Sequence, residues 1–383
     1  MKNIYLDNAS ARPVDPRVSE FIGEYLKDTF GNPSSLHSAG LEAKRVIEEA
    51  RVKVAELINA ENENCIIFTS GATETNNLAI KGVALRNKEK KRRVVSSDIE
   101  HISVLNSMKE LLKIGIEFSI VPVDSYGVVD IEKLNNILSS DVVITSVMYA
   151  NSEIGTIEPV KEISEMVHKK GGYFHSDATA AAGHILIDVQ KDGIDLLTLS
   201  SNDMYGPQGI GALYIKPGVK IQPIILGGGQ EKGIRSGTEN LFAIAGMGEA
   251  SRIAKKEMDE EAKRLIKMRD ELIDGILKIE NSYLTGHPTQ RLPYQASFRF
   301  NRIEGESILL NMDMYGIQIA TGSACSSKTL EPSHTLLAIG LKHEEAHGSM
   351  VLTLGRTNNP EEIPVVVKAV KETVERLRKL SPL

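Results

Sequence analysis

The stretch Cys65-Ile66-Ile67-Phe68-Thr69-Ser70-Gly71-Ala72-Thr73-Glu74-Thr75-Asn76-Asn77 decides the fold of this 383-residue chain. It begins with an apolar run of strand length, turns through Thr69-Ser70-Gly71, and continues as a helical pattern over residues 73–85. The same order recurs on both sides. Before it, residues 40–58 set Ala43, Val46, Ile47, Ala50, Val54, Leu57 and Ile58 on one helical stripe. After it, strands are expected at 94–97, 117–121, 142–148, 172–175, 195–199 and 211–215, with helices at 103–113, 131–138 and 160–169. Strand alternating with helix specifies an α/β fold with a mostly parallel sheet covered on both faces.

The pattern changes near residue 251. Long charged amphipathic helices are expected at 251–279 and 364–380, with strand-like pieces at 295–300, 317–320 and 351–354 between them. We therefore expect a large α/β domain over residues 15–255. A smaller α+β domain is expected from 1–14 together with 256–383.

Composition narrows the function. With 45 Lys+Arg against 51 Asp+Glu the net charge is −6, and the basic face of a general nucleic-acid binder is not expected. The longest apolar windows are too short to cross a bilayer, and Met1–Asp7 holds no signal-like apolar run. No membrane partner and a cytoplasmic location are the expectations. Two cysteines, Cys65 and Cys325, make no disulfide framework and no zinc site.

Several segments carry chemistry. Residues 69–77 bring small residues to a helix N-terminus, where backbone N–H groups and the helix dipole favour an anion. An ordinary N-cap turn has the same pattern. His175-Ser176-Asp177 places an acid at the carboxyl end of a buried strand, where it can pair with a protonated ring nitrogen or merely cap a turn. His101 opens a helix after another strand and can stack on a flat cofactor; a surface histidine is the alternative. Cys325 lies in a run of small residues, Thr321–Ser327, that suits a reactive thiolate, whereas Cys65 sits among apolar neighbours as a core residue would. Arg356 ends a strand, where a guanidinium can clamp a carboxylate.

Together these stretches resemble the IscS/NifS-type cysteine desulfurases over nearly the whole chain. The matching residues are Tyr5-Leu6-Asp7-Asn8-Ala9, Gly31-Asn32-Pro33-Ser34-Ser35-Leu36-His37, residues 69–77, Glu100-His101, Asn151-Ser152-Glu153-Ile154-Gly155, Tyr205-Gly206-Pro207, Arg235-Ser236-Gly237-Thr238-Glu239-Asn240 and Gly322-Ser323-Ala324-Cys325, in the family's order. The resemblance implies the class V, type I fold of pyridoxal-phosphate transferases, with a seven-stranded sheet. It implies transfer of sulfur from L-cysteine, through a persulfide, to an iron–sulfur scaffold protein of the IscU type. By position, Ala72 and Thr73 would bind the cofactor phosphate and His101 would stack on the ring. Asn151 would lie near the ring hydroxyl, and Asp177 would pair with the ring nitrogen. Ser200, Ser201 and Asn202 would add cofactor contacts, and Thr238 would reach the site of the partner subunit in a homodimer. Arg356 would hold the substrate carboxylate, and Cys325 would carry the persulfide.

The sequence departs from that pattern at the covalent anchor. The family has Ser-x-His-Lys before Tyr-Gly-Pro, whereas this chain has Ser200-Ser201-Asn202-Asp203-Met204. Asp203 replaces the lysine, Asn202 the histidine, and Ala180 the usual glutamine after Asp177. A carboxylate cannot form an imine, so non-covalent pyridoxal phosphate and weak turnover are expected. The alternative is a scaffold-binding assembly partner whose Cys325 delivers sulfur or ligates a nascent [2Fe-2S] cluster. A selenocysteine lyase would share the same motifs.

Overall fold

Alternate side chains of the central strands separate into two cores. Ile66, Phe68, Leu197, Leu199, Ala212 and Tyr214 pack to one side. Ile67, Leu196, Leu213 and Ile215 pack to the other. Such strands have no wet face, which is why they read in the sequence as continuous apolar runs.

The computed structural model describes residues 3–322 and 332–380. Its first half contains β1 (Ile4–Tyr5), α1 (Pro16–Asp28), α2 (Ser38–Leu57), β2 (Ile66–Thr69), α3 (Ala72–Asn87), β3 (Arg93–Ser97), α4 (Ile102–Leu111), β4 (Glu117–Val121), α5 (Ile131–Ile137), β5 (Val142–Ser146), α6 (Val160–Lys169) and β6 (Tyr173–Asp177). Then follow β7 (Leu196–Ser200), β8 (Gly211–Ile215), α7 (Leu241–Ile276), β9 (Ser282–Leu284), β10 (Gln295–Phe300), α8 (Gly305–Met314), β11 (Ile317–Gln318), α9 (His334–Ala338), α10 (His343–His347), β12 (Ser349–Thr353) and α11 (Glu362–Leu380).

Among the described residues the large sheet has seven strands in the order β2-β8-β7-β6-β5-β3-β4. Only β8 runs against its neighbours, so the expected mostly parallel seven-stranded sheet is present. The chain leaves β3 for the edge strand β4 and returns to the other side of β3 as β5. Such a reversal opens a crevice above the carboxyl ends of the strands. A second sheet, β12-β10-β9, is antiparallel, and β1 pairs in parallel with β11 beside it.

The helix expected at 251–279 begins ten residues earlier, as α7. Its first turns contain Gly246 and Gly248, which argue against helix by propensity. Packing overrides them: a side chain on Gly248 would stand 2.6 Å from the Ala50 backbone of α2. The short strand at Ile317–Gln318 is half the length expected.

A buried ion pair fixes the edge strand β2. Arg51 Nη2 meets Glu231 Oε1 at 2.7 Å, with both side chains under 5% exposed. Arg51 Nη1 also donates to the Ile66 carbonyl, and Glu231 Oε2 accepts from Phe68 N–H at 2.7 Å. Removing one member of a buried pair strands the other charge. Arg51→Met should therefore lower unfolding free energy by about 3–5 kcal/mol in denaturant titration.

Candidate active site

The segments at residues 69–77, His101, Asn151, Asp177 and Ser200 follow the carboxyl ends of strands in the large sheet, whereas Arg356 follows β12 of the second sheet. β2 leads to Gly71 and α3, β3 to His101, β5 to Asn151, β6 ends at Asp177, and β7 ends at Ser200. They converge because parallel strands end on the same side.

The α3 entrance is shaped by Gly71, whose φ of 143° is open to glycine and strained for other residues. Glu74 in the first turn accepts from Ser70 N–H at 2.9 Å and from Arg235 Nε at 2.9 Å. Ala72 is half-buried and Thr73 exposed at the helix N-terminus, whose first N–H groups have no intrahelical acceptor.

Asp177 is buried and held from two elements. Oδ2 accepts from Asn76 Nδ2 of α3 at 2.7 Å, and Oδ1 from the Thr179 amide at 2.9 Å. Asn76 was not singled out in the sequence, although it sits in the opening motif. His101 caps α4: its Nδ1 accepts from Ser103 N–H at 3.2 Å and lies 2.7 Å from Ser103 Oγ. The residue before it, Glu100, is wholly buried, and burial pushes its carboxyl up to about 8. One oxygen of Glu100 accepts from Ser97 Oγ and the Met148 amide, tying the ends of β3 and β5 together. Asn151 is consumed by its own loop: Oδ1 accepts from the Glu153 and Ile154 amides, and Nδ2 donates to the Ile99 carbonyl.

Asp203 is buried one short turn beyond β7, and burial pushes its carboxyl up to about 6. Ser200 and Arg12 pull it down, while Asp177 pushes it further up. Arg12 is itself buried, at 4% exposure. Its guanidinium lies over the rings of Tyr294 (4.4 Å) and Tyr205 (5.1 Å) and donates through Nε to the Asn8 carbonyl. Nothing in the sequence marks Arg12, since a lone arginine before proline carries no sign of burial.

Arg356 is placed near this group but is already paired. Nη1 contacts Asp15 Oδ2 at 2.5 Å, Nη2 lies 3.7 Å from Glu257, and the guanidinium lies 4.6 Å from the Tyr205 ring centre. Hydrogen bonds from Arg17 hold Asp15 down at about 2, so it stays ionised near neutrality. The arginine expected from the sequence to hold a substrate carboxylate pairs with Asp15 in this structure. Thr238 is exposed on this chain, three residues after the Arg235 that grips Glu74. Cys325 lies outside the described residues. Cys65 is buried, and among the described residues no cluster of His, Cys, Asp or Glu could hold a metal ion.

Among the described residues the buried oxygens Ser201 Oγ, Thr179 Oγ1 and Asn76 Oδ1 find no partner, and all lie in segments beside Asp177. With an anion-accepting helix end, these groups fit a phosphorylated pyridine held without a covalent bond. They do not fit an imine, because the anchor position carries a carboxyl.

Comparison with known proteins agrees in length and in fold. The aminotransferase class-V family model matches residues 4–366. The chain is 56% identical over 379 residues to cysteine desulfurase IscS 1 of Archaeoglobus fulgidus, covering 99% of each. It is 48% identical to cysteine desulfurase IscS of Methanosarcina thermophila, covering 100% of this chain and 94% of that one. A solved NifS-like protein superposes with a TM-score of 0.92 at 36% identity, covering 98% of this chain and 100% of the other.

If Asp177 is the partner of a cofactor ring nitrogen, Asp177→Asn should weaken pyridoxal phosphate by about tenfold or more. Titration by visible absorbance measures it.

Proposed function

We propose that this chain, which belongs to the aminotransferase class-V family, is a cysteine desulfurase-like protein of iron–sulfur cluster assembly that holds its cofactor non-covalently. The observation that carries this reading is the buried Asp203 carboxyl, set within a site that otherwise keeps the groups needed for pyridoxal phosphate. The family's cofactor supplies an electron sink when bound.

In this reading the chain's own residues divide the work by position. Ala72 and Thr73 hold the phosphate at the α3 N-terminus, and Thr238 reaches the phosphate of a second copy in a homodimer. Asp177 holds the ring nitrogen, and its orientation comes from Asn76 and the Thr179 amide. His101 covers the ring, with its imidazole steadied by Ser103. Ser200, Ser201, Asn202 and Asn151 line the remaining edge. Arg356 orients the carboxylate of L-cysteine by exchanging part of its contact with Asp15. Asp203 cannot supply an amine, so taking the Cα proton of cysteine falls to His101, a partial substitute for the missing lysine.

Cys325 carries the sulfur to a scaffold protein of the IscU type in the cytoplasm. Among the described residues no helix is long and apolar enough to cross a membrane. The Asp203 carboxyl also favours a second reading. With turnover slow, Cys325 passes on sulfane sulfur received by exchange from another persulfide, or ligates a nascent [2Fe-2S] cluster built on the scaffold from free sulfide.

Alanine and sulfide release from L-cysteine, with pyridoxal phosphate added, tests the first reading. Asp203→Lys should raise turnover by about 10²–10⁴-fold, the usual contribution of a positioned acid–base group. Borohydride should then fix a pyridoxyl group at position 203. Equal turnover from the unaltered chain, or an adduct on one of its own lysines, overturns the proposal. For the second reading, Cys325→Ala should abolish the colour of a cluster co-purified anaerobically with the scaffold; an unchanged spectrum counts against it.

A further inference from the structure

The three departing positions meet around Arg12 and His184, Asn202 through its side chain and Asp203 and Ala180 through their carbonyls. The Asn202 side-chain oxygen accepts from the Arg12 amide at 3.5 Å. The Asp203 carbonyl accepts from His184 Nε2 at 2.8 Å. The Ala180 carbonyl accepts from Tyr294 Oη at 2.9 Å, and the Tyr294 ring lies under the Arg12 guanidinium. Arg12 Nη1 closes the circuit on His184 Nδ1 at 3.4 Å. His184 is wholly enclosed, and burial first, then Arg12, holds it well below its ordinary range. It is therefore neutral, with Nε2–H donating to Asp203 and Nδ1 accepting from Arg12. Arg12 Nη2 is buried and finds no partner among the described residues.

The charges facing Asp203 come from several elements. Asp177 stands at the end of β6, Ser200 at the end of β7, Arg12 ahead of α1, and Tyr294 ahead of β10. Tyr205 and neutral His184 complete the wall beside Arg12. Arg12 is the buried cation of this cluster: its amide meets Asn202, its guanidinium reaches the Asp203 backbone through His184, and among the described residues it makes no ion-pair contact with the Asp203 carboxyl. The nearby Arg356 is occupied by Asp15.

We propose that Arg12 is the positioning residue of Asp203: it supplies the counter-charge that lets an ionised carboxyl at position 203 coexist with Asp177 and with an anionic cofactor. The inference rests on the non-covalent reading above. A phosphorylated ligand carries about −1.5 to −2 charge at pH 7, so an uncompensated second carboxylate beside Asp177 would repel it. Without Arg12, the only escape is for Asp203 to take up a proton.

Pyridoxal phosphate titrations of the full chain test this. Arg12→Met should raise the dissociation constant by about tenfold or more near pH 8, and by less than about threefold near pH 5, where Asp203 is protonated. Adding Asp203→Asn to Arg12→Met should restore binding near pH 8 to within about threefold of Asp203→Asn alone. Arg12→Lys, which keeps the charge, should stay within about threefold of the unaltered chain. Equal losses at both pH values with no rescue by Asp203→Asn would show that Arg12 only fills space, and the proposal falls. If Arg12→Met does not fold, recovery of folding in the double variant supports the proposal, and failure of both to fold overturns it. Absence of pyridoxal phosphate binding by the unaltered chain defeats the cofactor reading instead. Thermal unfolding of the unaltered chain, Arg12→Met, Asp203→Asn and the double variant needs no cofactor and decides the coupling by itself. Shifts in midpoint that are non-additive near pH 8 and additive near pH 5 support it; additivity at both ends it.

Discussion

A sheet covered by helices on both faces leaves a charged side chain little place except the rim where the strands end. Asp177, at the end of β6, and Asp203, just beyond β7, obey that constraint. Along β2, β5 and β7 each residue is buried, so a charge within them would have no water and no partner. At the rim, the Asn76–Asp177 hydrogen bond ties the first helix of the large sheet to its central strand. The relative placement of the anion-accepting helix end and the buried acid follows from that contact.

Buried charge elsewhere in the molecule is settled by simple means. Arg51 and Glu231 neutralise each other at 2.7 Å. Burial keeps Glu100 and Glu158 protonated by raising each to about 8, and raises Glu153 to about 7. Glu153 is further steadied by Ser333 Oγ at 2.6 Å. Arg291 is surrounded by carbonyls of Ile154, Thr285 and Gln295. Asp203 belongs to neither pattern. Among the described residues it has no contact ion pair, and burial raises it only to about 6, which leaves most of it ionised at neutral pH.

Local sequence carried much of the architecture. Apolar runs marked the strands because both their faces are covered, and the same reading put Asp177 at the end of β6 and His101 at the entrance of α4, where both also do the capping work the sequence left as the alternative. What remained hidden depends on distant contacts. Arg12 meets Asn202 and His184 across 190 and 172 positions, and Arg356 meets Asp15 across 341. No window of sequence contains such pairs. The start of α7 was hidden for a different reason: Gly246 and Gly248 oppose helix locally, yet they are the residues that let α2 and α7 approach. Propensity lost to close packing there.

The unbroken course of α7 has a mechanical consequence. Its 36 residues make a rod about 54 Å long. Near its start Ala243 and Met247 join the core under the large sheet, and near its end Arg269 grips the Leu292 carbonyl ahead of β10. A protein docking against the second sheet would load the strand rim through that girder, with no joint along its length to absorb the force.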